Sequence, residues 1–136
     1  MKFIWANLKK INKKNIKKII FVGKLDKRKN PIRSLNVFAK LLKNDKDIRL
    51  EIIGTGPLLD QLKSIVKLYN INKYVHFHGF KNNPYDLINN SDILISSSHS
   101  EGMSRALLEA QFFGIISVIK DHDSLKLIKK RNPNLI

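Results

Sequence analysis

The sequence predicts an α/β protein built on a parallel sheet of about five strands with helices on both faces. Two features of the chain support this prediction. Short apolar runs alternate with amphipathic stretches of helical periodicity, and the polar links between them are short. The apolar runs are nearly continuous, which is typical of strands that are buried on both faces of a sheet.

Five apolar runs are predicted to be strands, at residues 18–23, 48–53, 75–79, 92–96 and 115–119. Helices are predicted to begin at Pro31 (with Asn30 as N-cap), Pro57, Pro84, Gly102 and Ser124. A glycine ends each of the first three strands, where the chain must turn sharply or pass close to a ligand. Because parallel sheets bind ligands at the carboxyl ends of their strands, we expect the functional site at that edge.

The composition is that of one domain: 136 residues, a net charge of +15, 43% hydrophobic residues and no cysteine. This hydrophobic content is too high for a disordered chain, and no apolar run approaches the roughly 20 residues of a membrane-spanning helix. The lack of cysteine excludes disulfides within this sequence and agrees with a cytoplasmic location. The charge favours an anionic ligand, but no nucleic-acid-binding module is visible, so no specific nucleic acid is predicted.

Residues 1–17 are predicted to be a basic segment that precedes the domain at residues 18–136. The segment contains lysines and no acidic residue, and Trp5, Leu8 and Ile11 are placed to share one helical face. A solvated terminus is the favoured interpretation. The alternative is a basic, weakly amphipathic segment that rests on an anionic membrane surface, at the inner face of the membrane.

The stretch at residues 96–114 carries two carboxylates, Glu101 and Glu109, on a predicted helix that ends at Gly114. Eight helical residues separate the carboxylates by about 12 Å, which is wider than a glycosidase pair at roughly 5–9.5 Å. One ligand that contacts both must therefore be long. A nucleotide diphosphate sugar has hydroxyls at both ends and an anion that suits a helix N-terminus. The alternative is that Glu109 only pairs with Arg105, one helical turn earlier.

A basic loop follows the first predicted strand, with Lys24, Lys27, Arg28 and Lys29 at the ligand edge. Cations in this loop would neutralise a pyrophosphate held there. The loop has no Walker sequence, and the glycines at positions 54 and 56 lack the third glycine of a dinucleotide fingerprint. We interpret those two glycines as a turn into the helix at Pro57.

Two histidines and two aspartates are weaker candidates for a metal site. His76 and His78 lie on one face of a strand without a third ligand, so packing is the favoured interpretation. Asp121 and Asp123 resemble a DxD metal signature only superficially. His99 lies in the loop before Glu101, within reach of a ligand.

The blocks KIIFVGKLDKRKN, LEIIGTGP, VHFHGF and SSSHSEGMSRALLEAQFFG resemble the C-terminal domain of retaining family 4 glycosyltransferases of the GT-B fold. The resemblance extends from about residue 17 to about residue 117, with the four blocks in the family's order and spacing. It implies a Rossmann-like donor-binding domain that uses a nucleotide diphosphate sugar as substrate and requires no metal or other cofactor.

The resemblance also implies roles for individual residues. Lys24 and Lys29 would bind the donor pyrophosphate, and Lys24 stands where the family usually has arginine. Glu101 would contact the donor sugar and the reacting centre, and Glu109 would hold the ribose hydroxyls. The remaining donor contacts would come from the backbone amides of the helix start and from the segment against the base: Gly102, Met103, Ser104, Gly79 and Phe80.

Three departures from the family pattern limit the functional prediction. Asn30 replaces a glycine, Ile116 replaces a proline, and only the second of the two GT-B domains is present, without its sixth strand and closing helices. The expected activity is sugar transfer with retention, and we expect this chain alone to be inactive or to need a separate chain that carries the acceptor domain. The alternative is a truncated, non-catalytic remnant or a nucleotide-sugar-binding module without turnover.

Overall fold

The computed structural model of this chain describes the backbone of residues 3–6 and both the backbone and side chains of residues 16–99 and 104–120. These residues form one six-stranded sheet, ordered β1-β6-β5-β2-β3-β4. The strands are β1 (Phe3–Ala6), β2 (Lys18–Val22), β3 (Arg49–Ile53), β4 (Val75–Gly79), β5 (Ile93–Ser96) and β6 (Ile116–Lys120). The helices are α1 (Pro31–Asn44), α2 (Leu59–Leu68), α3 (Tyr85–Asn89) and α4 (Arg105–Phe112), with a 3₁₀ turn at Asn72–Tyr74.

The five predicted strands are present and all run parallel, so the predicted α/β fold class is confirmed. In the sheet, β2 lies between β5 and β3. The chain therefore proceeds outward from β2 to one side through β3 and β4, and then to the other side through β5 and β6. The point where this direction reverses lies between β2 and β5, and in open parallel sheets it is where ligands bind.

The sixth strand, β1, was not predicted. It pairs antiparallel with β6, with Phe3 opposite Lys120 and Ala6 opposite Ser117. For residues 3–6 this corrects the expected solvated terminus, and Trp5 lies in a strand instead of on a helical face. The physical reason is that Phe, Ile and Trp favour strands, and β6 would otherwise be an open edge. Leu8 and Ile11 lie outside the described residues, and the division of the chain at residue 17 stays a prediction.

Side chains that alternate along the strands build two hydrophobic cores, one on each face of the sheet. Ile19 and Phe21 of β2 point to the face covered by α1 and α2, and Ile20 points to the face covered by α3 and α4. The helices contribute Leu35, Phe38, Leu42, Leu62 and Val66 to the first core and Ile88, Leu107 and Ala110 to the second. Burial on both faces explains why the central strands β2 and β5 are almost continuously apolar.

Helix boundaries follow local chemistry, with corrections to the predicted starts of α2 and α4. Helix α2 begins at Leu59, two residues after the predicted Pro57. Pro31 is the first residue of α1, as predicted, and Gly114 has the left-handed φ of +68° that ends α4. However, α4 begins at Arg105 and not at Gly102. Ser104 is the N-cap of α4, because its Oγ accepts a hydrogen bond from the Leu107 N–H at 3.2 Å. In the described part of the chain, no helix is long and apolar enough to cross a membrane.

Candidate functional site

Two adjoining cavities lie at the carboxyl ends of the parallel strands. They have volumes of about 400 Å³ and about 380 Å³ and share Val22, Gly23, Phe80 and Lys81. The first cavity is also lined by Lys29, Asn82, Pro84, Arg105, Ala106 and Glu109, and the second by Lys24, Ile53, Gly54 and Thr55. A larger cavity of about 570 Å³ lies between α1 and the end of α2 and contains none of the predicted site residues.

Four predicted donor-binding residues meet at these cavities: Lys24, Lys29, Phe80 and Glu109. They come from three segments that are far apart in sequence. Gly79 immediately precedes Phe80, and its carbonyl accepts a hydrogen bond from the Gly54 N–H at 2.8 Å. Ser104 lies at the start of α4, next to Arg105. The other predicted residues of this site, Glu101, Gly102 and Met103, lie outside the described residues.

Backbone hydrogen bonds join the loops that follow β2, β3 and β4. The Gly23 N–H donates to the Ile53 carbonyl at 3.0 Å, and the Leu25 N–H donates to the Thr55 carbonyl at 2.9 Å. The Leu25 carbonyl in turn accepts from the Leu58 N–H at 2.9 Å. The turn interpretation of the two glycines at positions 54 and 56 agrees with this pairing, since α2 begins three residues after Gly56. The cavity walls are therefore held by main-chain contacts.

Asp26 stabilises the turn of the basic loop after β2 by accepting two hydrogen bonds. Its side-chain Oδ1 accepts from the Lys29 N–H at 2.9 Å, and its carbonyl accepts from the Asn30 N–H at 3.0 Å. Asn30 has φ +50°, in the left-handed region that glycine adopts freely and that asparagine tolerates better than most residues. This geometry gives a physical reason for the usual glycine at this position. Asn30 is the N-cap residue of α1, as predicted, but its side chain makes no capping hydrogen bond.

Lys24 and Lys29 have different surroundings despite their similar predicted roles. Lys24 is exposed and lines the second cavity. Lys29 is half-buried and lines the first cavity, with its aliphatic chain over Gly23: a Cβ added to Gly23 would lie 3.4 Å from Lys29 Cδ. The long side chain of a lysine is thereby packed along its stem while its charge stays at the cavity.

Glu109 lies in α4 with its carboxylate at the first cavity. Its side chain is 18% exposed, whereas that of Arg105 is 84% exposed, and the two form an ion pair at 3.9 Å. The alternative that Glu109 pairs with Arg105 is therefore partly realised. An ion pair at this distance with one exposed partner contributes little to stability, and it leaves the carboxylate able to accept hydrogen bonds from a ligand.

The other candidate side chains have protein partners. The His99 Nδ1 lies 3.4 Å from the Lys120 Nζ. His76 and His78 pack on one face as predicted, but both contact the carboxylate of Glu51, at 3.7 Å and 2.5 Å from its Oε2. Among the described residues, no group of three His, Asp or Glu side chains is placed to hold a metal ion. Asp121 and Asp123 lie outside the described residues.

Sequence reasoning missed several residues at the cavities. The sequence suggests Arg105 only as a partner of Glu109. Thr55, Lys81 and Asn82 lie in loops, where no periodic pattern indicates which side chains face the cavities. The signal that could have identified these three loop residues is their proximity in sequence to Gly54 and Phe80. Glu51 was also missed, because its position inside an apolar strand did not identify its partners in β4.

Comparison with known proteins identifies the family. A family model described as glycosyl transferases group 1 matches residues 3–132 of this chain. The chain belongs to this family. The match of the group 1 family covers nearly the whole sequence, including β1 and the segment that carries Glu101.

Individual relatives agree with the assignment to group 1. One is the N-acetylgalactosamine-N,N'-diacetylbacillosaminyl-diphospho-undecaprenol 4-alpha-N-acetylgalactosaminyltransferase of Campylobacter jejuni, 35% identical over 106 residues, which cover 78% of this chain and 28% of that protein. The C-terminal domain of the group 1 protein LpcC from Francisella tularensis is 26% identical, with a TM-score of 0.62 and coverage of 69% and 52%.

A more distant structure shares the fold. The pneumococcal O-GlcNAc transferase GtfA, in complex with UDP and GlcNAc, is 20% identical with a TM-score of 0.69. The match covers 72% of this chain and 19% of GtfA. This chain thus spans less than a third of the length of the Campylobacter relative and of GtfA.

Proposed function

We propose that this chain is the donor-binding domain of a retaining, family 4-like glycosyltransferase that uses a nucleotide diphosphate sugar. The observation that carries the proposal is that Lys29, Phe80 and Glu109 line one cavity at the carboxyl end of β2. A cation, an aromatic ring and a carboxylate are the groups needed for a diphosphate, a base and sugar hydroxyls. Phe80 is 69% exposed, so its ring is available to a base.

In this proposal, each group contacts a different part of the donor. Lys24 and Lys29 neutralise the diphosphate, and Glu109 accepts hydrogen bonds from the ribose hydroxyls. Glu101 contacts the donor sugar at the reacting centre, and the amides of Gly102, Met103 and Ser104 meet the sugar or phosphate. Catalysis then rests on electrostatic stabilisation of the departing diphosphate and the cationic sugar, without a required metal.

Sugar transfer also requires a site for the acceptor. Because the chain covers 28% of the Campylobacter relative, we propose that the acceptor domain is supplied by the rest of a longer protein or by a separate chain. The name of that relative places its acceptor saccharide on diphospho-undecaprenol. A polyprenol-linked saccharide is therefore the first acceptor class to test.

Calorimetric titration with UDP, GDP and inorganic pyrophosphate tests the donor site. We expect one nucleoside diphosphate to bind, and Lys29→Ala and Glu109→Gln to weaken its binding about tenfold each, since each variant removes one charged hydrogen bond. Lys40→Ala is the matched control, because Lys40 is an exposed lysine of α1 outside both site cavities. Equal losses for Lys29→Ala and Lys40→Ala would indicate attraction to the net charge alone. Failure of all three ligands to bind would refute the proposal.

A further inference from the structure

Ser97 is a buried polar residue directly after β5, and its hydroxyl joins two segments of the site. The Ser97 Oγ donates to the Asn30 carbonyl at 2.6 Å and lies 2.7 Å from the Ser34 Oγ. Ser97 is 0% exposed and Ser34 is 1% exposed. Hydrogen bonds in such a dry environment are strong, and a buried polar group that loses its partner is costly.

The direction of these hydrogen bonds follows from proton counting. A carbonyl oxygen only accepts, so the single hydroxyl proton of Ser97 is used on Asn30. The Ser34 hydroxyl must therefore donate to the Ser97 Oγ. Ser97 is the central member of this chain of hydrogen bonds, since its removal takes a donor from Asn30 and an acceptor from Ser34.

The two segments that Ser97 joins carry the proposed donor contacts. Asn30 follows Lys29 directly and holds the left-handed turn into α1. Ser97 begins the loop that leads from β5 towards Glu101 and α4. A third contact joins the same two loops, because the His99 N–H donates to the Arg28 carbonyl at 2.8 Å.

We propose that Ser97 is a positioning residue that holds the β2–α1 loop against the β5–α4 loop. In this way it keeps Lys29 where its side chain can contact the donor diphosphate. This role rests on the proposed donor site. Ser97 does not line either cavity, and it acts through Asn30. Loosening it should therefore weaken the contact with the second phosphate more than the contact with the base.

The test compares UDP with UMP on the full chain. Binding of both nucleotides is measured by calorimetry for the unmodified chain and for Ser97→Ala, Ser34→Ala and Ser117→Ala. Ser117 is the matched control: it is a fully buried serine of β6 whose Oγ has no hydrogen-bond partner within the described part of the chain. Hydrogen exchange at the His99 amide reports on the loop contact without any ligand.

We expect Ser97→Ala to weaken UDP binding about tenfold and UMP binding by less, and to speed exchange at His99. Ser34→Ala, which leaves the bond to Asn30, should reduce the preference for UDP over UMP by a smaller factor, and it serves as the test if Ser97→Ala does not fold. Ser117→Ala should leave the preference unchanged.

Two outcomes would overturn the inference, and they are distinguishable. If the unmodified chain binds UDP but Ser97→Ala changes UDP and UMP affinity by the same factor, the positioning role is wrong while the donor site stands. If the unmodified chain binds no nucleotide, the donor site itself is refuted and the positioning role falls with it.

Discussion

A Cβ atom added to Gly54 would lie 1.8 Å from the carbonyl oxygen of Gly23. Real Cβ contacts are essentially never shorter than 3.0 Å, and the obstructing atom is part of the backbone. The Gly54 N–H also donates to the Gly79 carbonyl at 2.8 Å. The ends of β2, β3 and β4 therefore meet at a distance that only glycine permits, and both Gly23 and Gly54 line the second cavity.

Gly54→Ala is expected to lower the free energy of unfolding by about 3 kcal/mol or more, because alanine is strained at this φ of +139° and the backbone must also shift to relieve the clash. Gly79→Ala is the comparison, since Gly79 has φ +70° but nothing within 4 Å of an added Cβ. Its cost should be the left-handed conformation alone, about 1–2 kcal/mol. Urea denaturation measures both, and equal losses would contradict the steric explanation.

The Glu51–His78 contact predicts that substitutions at these two positions have coupled effects on stability. The Glu51 carboxylate, 11% exposed, lies 2.5 Å from the His78 Nε2 across β3 and β4. His78→Leu should destabilise the fold by about 1–3 kcal/mol, because among the described residues it leaves a nearly buried carboxylate with the longer contact to His76 alone. Replacing both partners, in Glu51→Leu with His78→Leu, should cost less than the sum of the single changes. A double-mutant cycle measures the coupling, and additive losses would contradict it.

The N-cap of α4 predicts a smaller effect. Ser104→Ala removes the acceptor for the Leu107 N–H and should lower the free energy of unfolding by about 0.5–2 kcal/mol. Ser104→Asp keeps a capping oxygen and should retain most of the stability. Thermal unfolding of the two variants distinguishes them. An alanine variant as stable as the aspartate variant would show that the cap is not needed.

Replacing Lys24 with arginine is expected to increase the affinity for UDP. An arginine at this position would present a planar fork with two parallel N–H donors that match two phosphate oxygens, whereas the lysine ammonium acts as a compact point charge. Lys24→Arg is expected to tighten UDP binding several-fold and to leave uridine binding unchanged. Lys40→Arg, on the exposed face of α1, is the control for a lysine-to-arginine change outside the site. Unchanged UDP affinity in Lys24→Arg would place the diphosphate away from this side chain.

Much of the fold could be predicted because its determinants are local. The continuous apolar runs of β2 and β5 specify strands buried on both faces. Pro31 and Gly114 mark helix ends by their own backbone preferences. Helix α4 begins three residues after the predicted Gly102, because the Oγ of Ser104 caps its first turn.

Some residues of the site could likewise be predicted from the sequence, and others could not. Lys24 and Lys29 could be assigned to this edge from their place after a predicted strand, and Glu109 from its place on a predicted helix. The assignment of Phe80 came from the family resemblance, and the structure brings all four to two adjoining cavities. The sequence does not distinguish Ser97 from the adjacent serines. Nothing near it in sequence indicates that its hydroxyl contacts the Ser34 hydroxyl and the Asn30 carbonyl. Glu51 and His78 are 27 residues apart, and only the pairing of β3 with β4 makes them partners.

The sequence by itself determined the strand and helix order, the glycine at each of the first three strand ends and the charge of the loop after β2. These follow from side-chain periodicity and from the backbone freedom of single residues, which act over a few positions. Tertiary structure alone decided that β1 completes the sheet, that Gly54 approaches Gly23, and that Ser97 holds Asn30. Such contacts join residues distant in sequence, so they exist only once the whole sheet has assembled.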